Sequence, residues 1–413
     1  MLGYMNLAEY VKRGRTEQKH SGRPEQHLVS KNCWQKHWIS KMPYDLTEEQ
    51  RQTYRETSRR SQQRKVELLQ RAVDADGNNR MHEPRLNPET LMPQVEPNGL
   101  VALSLFSGGG GLDLGFERSG YSHAGSYELL EIGAQTLAAN RPDWKVFGGD
   151  AGDVRRVNWK PYKGSVDVVH GGPPCQPFST AGKQGGVNDP RNMWPEFVRC
   201  VLEVRPRAFV AENVPGLLDD KFAGFVEEYI LKPLGKHYTI TKFVLKAEDF
   251  GVPQTRKRVF FVGFRNKRDA RRYVIPQATH GDAPGLLRRN TARYAIGLPD
   301  IGFDCVVPTV RSGFTGPRKT TSAVNSKASM AIWDRLQIWP HGVQPTRLQA
   351  TIYPPENGHH RLSGPDCGIL QGFPESWQFQ GAAYQILGQI GNSVCPPVAY
   401  AVATSVAAAL RET

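Results

Sequence analysis

The sequence predicts an α/β protein in which helices cover a mostly parallel sheet. Short apolar runs of strand length fall at residues 100–106, 166–169, 208–211 and 259–264. Helical segments such as 197–204 alternate with them. The first run ends in Ser107-Gly108-Gly109-Gly110-Gly111 and is followed by LDLGFERSG. Strand, glycine-rich turn and helix in that order open a nucleotide-binding α/β unit.

The chain has 413 residues, 39% hydrophobic and 23% charged, the composition of a globular protein of two or three domains. No run of 18 apolar residues occurs, and MLGYMNLAEYVKRGR lacks the apolar core and cleavage site of a secretory signal. Six scattered cysteines without a CxxC pair argue against a disulfide framework or a zinc site and for a reducing cytoplasm. His359-His360 with Cys367 matches no common metal spacing, and surface histidines account for the pair. No metal is expected. Net charge is +13, and residues 265–346 carry 13 Lys/Arg against 5 Asp/Glu. That concentration favours a nucleic-acid face.

Residues 1–98 are polar and basic. Thr47-Glu48-Glu49-Gln50 has the form of a capping box and predicts a solvated helix running towards Val73. Pro84, Pro88, Pro93 and Pro97 then mark a linker. From Gly99 the α/β rhythm runs to Phe264, where the basic, loop-rich segment interrupts it. Ala399–Leu410, rich in alanine, closes the chain as a helix.

The glycine-rich turn meets neither the G-x-G-x-x-G fingerprint nor the P-loop, because Leu114 replaces the third glycine and no Lys-Ser/Thr follows. A ligand other than a dinucleotide or triphosphate fits it, as does a purely structural loop. Glu128 ends the second strand, where an acid can hold ribose hydroxyls or simply face solvent. Asp150, after Gly148-Gly149, is a turn aspartate or an acceptor for an adenine amino group.

Cys175 stands in HGGPPCQPFS, on a proline-stiffened loop just past a strand. A thiol has a pKa near ~8.5 and attacks only as thiolate, so a positioned thiol at the sheet's carboxyl edge is a candidate nucleophile. Glu212, in Glu212-Asn213-Val214, projects at the same edge, and Arg256 and Arg258 lie on one side of the run Gln254-Thr255-Arg256-Lys257-Arg258. Thiol, carboxylic acid and guanidinium together suit attack on an electron-poor ring.

In family order the sequence carries Leu105-Phe106-Ser107-Gly108-Gly109-Gly110-Gly111, Gly149-Asp150, Gly172-Pro173-Pro174-Cys175-Gln176-Pro177-Phe178-Ser179 and Glu212-Asn213-Val214. Gln254-Thr255-Arg256-Lys257-Arg258, Leu370-Gln371-Gly372-Phe373-Pro374 and Gly391-Asn392-Ser393-Val394 follow. On these motifs the chain resembles the DNA (cytosine-5) methyltransferases of bacterial restriction-modification systems. The resemblance implies a Rossmann-like S-adenosylmethionine-dependent methyltransferase fold with a smaller, irregular target-recognition domain. It implies S-adenosylmethionine as cofactor, bound by Phe106, Ser107, Gly108, Gly110, Glu128, Asp150, Met193, Asn392 and Val394. Here Leu129 and Leu130 follow Glu128, where the family often has an apolar residue and then Asp or Asn. Cys175, Glu212, Arg258 and Arg256 are the implied catalytic residues.

The implied layout is an extension and linker at 1–98, a catalytic domain at 99–264 and target recognition at 265–346. A scaffold at 347–387 and a returning segment at 388–413 complete it. Thr309-Val310 resembles a dipeptide the family uses in target recognition. The expected partners are double-stranded DNA and a cognate restriction endonuclease acting on the same site, with the enzyme a monomer and no membrane involved. Two further readings are a tRNA methyltransferase and a DNA-binding regulator without turnover.

Overall fold

The computed structural model describes residues 82–174, 192–314, 320–324, 326–353, 355 and 357–411, with eight positions between 49 and 67. The chain divides into two compact units, Met1–Arg80 and Met81–Thr413. In the first, all eight described positions are helical and exposed, as a solvated helix requires. Thr53 Oγ1 donates to the Glu49 carbonyl, 2.8 Å away. The cap at Thr47 lies outside the described residues.

The second unit is built on a seven-stranded sheet of order β3-β2-β1-β4-β5-β8-β6. Its parallel half comprises β1 (Val101–Leu105), β2 (Ser122–Glu128), β3 (Val146–Gly148), β4 (Val168–Gly171) and β5 (Ala208–Asn213). Every residue of β4 and β5 is buried, the mark of central strands covered on both faces. β6 (Thr239–Lys246) and β8 (Lys257–Phe264) are antiparallel to their neighbours, so the sheet is mixed. A short β7 (Gln254–Thr255) precedes β8 and pairs with β9 (Val307–Pro308).

On one face α1 (Gly111–Arg118) packs with the C-terminal α10 (Pro396–Leu410), whose prolines occupy its first turn. On the other lies α3 (Trp194–Val204), which buries Trp194, Phe197, Val198, Cys200, Val201 and Val204 along one stripe. A third core, joining Ala292, Val307, Trp333, Ile338, Leu362, Leu370 and Ile390, holds the smaller lobe together. The stretch Ala383–Leu410 is long and apolar enough to cross a membrane, but 72% of its most apolar window is buried inside the fold. It comprises two core helices, α9 (Ala383–Asn392) and α10.

Two expected boundaries are corrected. Residues 82–98 are not a free linker: Met92 is fully buried, the Leu86 N–H donates to the Ala295 carbonyl and the Val95 N–H to the Arg118 carbonyl. The prolines shape a strap rather than a spacer. The basic segment's first turn belongs to the catalytic lobe, because Ala270, Tyr273 and Ile275 pack on the core of β8 and α10.

Candidate active site

The carboxyl ends of the parallel strands collect the predicted site. Ser107 follows β1, Glu128 ends β2, Asp150 follows β3, Pro173 follows β4 and Glu212 lies near the end of β5. Because β8 runs the other way, its start brings Arg258 to the same edge.

The glycine-rich turn begins with Phe106 at φ 57°, a strained value for a residue with a Cβ. Gly110 lies at φ 85°, and a Cβ there would stand 2.6 Å from the Trp377 ring. Ser104 and Ser107 hydroxyls share a hydrogen bond of 2.8 Å. The Glu128 carboxylate is buried and accepts from the Gly108 N–H and the Leu130 N–H, both at 2.7 Å. Burial raises its pKa, and those two amides oppose the rise. Each oxygen retains acceptor capacity for a ribose hydroxyl. Beside it Leu129 and Leu130 are about half exposed, an apolar surface that a flat base would cover. The residues fit S-adenosylmethionine.

Met193 caps α3, partly packed on the core with Phe106, and Val394 is buried. Asn392 is exposed at the end of α9, in keeping with a ligand contact. Asp150 is 92% exposed and 3.5 Å from Arg156, so the protein itself does not hold it towards a base.

Glu212 is buried, and Arg258 Nε donates to its Oε1 at 2.8 Å. Burial raises its pKa, with Arg258 and then Arg256 pulling the other way. Such an acid holds a proton more readily than an exposed one. Gly172 leaves the carboxylate room: a Cβ there would lie 2.8 Å from Oε2. Asn213 Nδ2 donates to the Pro173 carbonyl at 3.0 Å, anchoring the loop to β5. Cys175 itself lies outside the described residues. The described cysteines 200, 305, 367 and 395 are free, and burial raises the pKa of each. They are poor sources of thiolate.

Arg256 corrects a prediction. Its side chain is 2% exposed, and Nη2 donates to the carbonyls of Gly391 and Ser393 at 2.8 and 2.9 Å. Those bonds tie it to the returning segment. Arg293 is likewise buried, donating to the carbonyls of Leu336 and Pro299. The histidine reading also changes. His360 and His82 lie against the buried Asp366 at 3.5 and 3.1 Å. These three side chains bring their possible metal-ligand atoms within 4.8 Å of one another. Asp366 also accepts from Arg347 Nε and from the Ser363 N–H and hydroxyl, which makes it a saturated hydrogen-bond node.

Sequence reasoning missed Trp377, which donates from Nε1 to the Gly109 carbonyl at 3.1 Å and roofs the turn. It missed Gln254 too, whose amide bonds Gln371, the Leu370 carbonyl and the Val310 N–H. The signals were present as QGFPESW and QTRKR, but only the fold brings them together. Thr309 Oγ1 donates to the Thr255 carbonyl at 2.5 Å, setting the Thr309-Val310 dipeptide beside the arginine pair.

Sheet order, glycine turn and buried acid define a Rossmann-like methyltransferase. The family model for C-5 cytosine-specific DNA methylases matches residues 100–295 and 309–408. The chain belongs to that family, a DNA methyltransferase family whose methyl donor is S-adenosylmethionine. It is 33% identical to the Type II methyltransferase M.NgoMIV of Neisseria gonorrhoeae, over 76% of this chain and 98% of that one. It is 41% identical to the Type II methyltransferase M.AquIA of Picosynechococcus sp., over 43% of this chain and 76% of that one. Among solved structures, one titled as a DNA modification methyltransferase encoded within an E. coli prophage is 25% identical, with a TM-score of 0.52. The match covers 74% of this chain and 98% of that one. An Entamoeba histolytica methyltransferase, at 17% identity and TM-score 0.52, shares the fold over 77% of this chain and all of its own.

Proposed function

We propose that the protein methylates carbon 5 of cytosine within one short sequence of double-stranded DNA, through a covalent adduct on Cys175. The target base leaves the stack, at a cost of about a few kcal/mol, because its ring edge is inaccessible in a duplex. The Cys175 thiolate forms a bond to carbon 6 as Glu212 gives its proton to ring nitrogen 3, making carbon 5 nucleophilic. Bound S-adenosylmethionine supplies the electrophilic methyl group. Loss of the carbon 5 proton to a base then restores the ring double bond and expels the thiolate. Arg258 orients Glu212 and holds the exocyclic oxygen of the base. Phe106, Ser107, Gly108, Gly110, Glu128, Asp150, Met193, Asn392 and Val394 form the cofactor site.

One observation carries this reading: the buried Glu212–Arg258 pair lies against Gly172, three residues ahead of Cys175. The names of the Type II relatives support protection of DNA from a cognate restriction endonuclease.

The test is transfer of labelled methyl from S-adenosylmethionine to DNA and, in parallel, to tRNA, by wild-type and Cys175→Ala proteins. Label at DNA carbon 5 that disappears in the variant is expected. Duplex carrying 5-fluorocytosine should trap an adduct on Cys175, since fluorine cannot leave as a proton does. Label on tRNA alone, or full activity in Cys175→Ala, overturns the proposal.

A further inference from the structure

The amino edge of the sheet, opposite the catalytic edge, carries a second concentration of positive charge. A cleft of about 1350 Å³ is lined there by Arg207, Arg265, Lys267, Arg268, Arg272 and Arg411. Its lining contains one carboxylate, Asp269. Strand direction fixes the location. Arg207 precedes β5 while Glu212 lies near that strand's far end, and Arg265 follows β8 while Arg258 lies near its start. Arg265 follows Arg258 by seven steps of extended chain, roughly 23 Å.

The guanidiniums are held by carbonyls more than by acids. Arg207 donates to the Leu410 carbonyl and also reaches Asp167 at 3.5 Å. Arg265 donates to the Arg205 carbonyl at 2.7 Å and Arg272 to the Arg411 carbonyl at 3.4 Å. Carbonyls orient a guanidinium without neutralising it, and its remaining N–H groups match the oxygens of a phosphate. The lining also lacks an apolar anchor: Leu100 and Leu410 are buried, leaving Pro97 as the exposed apolar side chain. A protein partner would ordinarily find a desolvated apolar centre.

We propose that this edge binds the phosphodiester backbone of a segment of duplex DNA other than the one that carries the target base. The inference rests on the proposed reading of duplex DNA as the molecule bound, not on its turnover. It also divides the basic segment: its first cations serve retention on DNA rather than recognition of the target.

Lys267 and Arg268 are exposed and suit charge reversal. A Lys267→Glu, Arg268→Glu protein is compared with wild type and with a Lys236→Glu, Lys242→Glu control matched in charge. Binding to long random-sequence duplex is titrated with salt, and methyl transfer is measured at saturating DNA. Each lost phosphate contact lowers the salt slope by about 0.9, so a fall of about 2 is expected for the pair. The control slope and saturated methyl transfer should stay unchanged. An unaltered slope, or an equal fall in the control, overturns the proposal. Wild-type protein that binds DNA with the expected slope but transfers no methyl would sink the catalytic reading and leave this one standing.

Discussion

Arg258 Nε donates to Glu212 Oε1 across 2.8 Å, joining the start of an antiparallel strand to the end of a parallel one. The bond fixes the acid's orientation while burial raises its pKa. Glu212→Gln keeps an acceptor for Arg258 and removes the transferable proton. Methyl transfer should fall by about 10²–10⁴-fold, the usual worth of a general acid, with little change in melting temperature. Retention of full activity would remove Glu212 from the chemistry.

Arg256 links β7 and β8 to the segment returning at Gly391 and Ser393. Arg256→Met should destabilise the fold by about 3 kcal/mol, because two charge-assisted bonds are lost. KM for S-adenosylmethionine should rise more than kcat falls, since Asn392 and Val394 lose their support. Arg256→Lys should partly restore both. A loss confined to kcat would instead place Arg256 against the reacting base.

Gly110 combines φ 85° with Trp377 and Leu137 carbon atoms 2.6 and 2.8 Å from any Cβ. Gly110→Ala should cost about 3 kcal/mol, combining left-handed strain with overpacking, and should weaken cofactor binding in calorimetry. Gly164 has the same φ of 85° with open space around it, so Gly164→Ala should cost only about 1 kcal/mol.

His170, on β4, is completely buried and stacked on Phe116, with ring centroids 4.1 Å apart. Among the described residues neither ring nitrogen has a hydrogen-bond partner. Burial lowers its pKa from 6.5 to about 4. The unfolded chain therefore takes up a proton below pH 6.5 that the folded chain refuses until about pH 4. Stability present above pH 6.5 should decline across that window by about 3 kcal/mol. His170→Phe should flatten this part of the pH–stability curve in denaturant titrations. An unchanged slope would locate the acid sensitivity elsewhere.

The parallel strands, the glycine-rich turn, α3 and the C-terminal helix were legible in the sequence because each is written in a local pattern. Val168-Val169 and Ala208–Ala211 are continuous apolar runs, as doubly covered strands must be. β6 is less legible: TITKFVLK is an edge strand with half its residues exposed, and lysines interrupt its apolar alternation. The strap at 82–98 read as a linker because its prolines signal loop, while its buried Leu86 and Met92 are isolated in sequence.

By itself the sequence determined the order of the motifs, the fold class and the chemical types gathered at the site. These depend on runs of a few residues. The tertiary structure decided which of two nearby arginines faces the acid and which braces the chain. It also decided on which sheet edge the first basic cluster lies. Both depend on β8 running antiparallel to β5, and on partners such as Gly391, 135 residues from Arg256. A reversed strand carries its two ends to opposite edges, and composition alone cannot show a strand's direction.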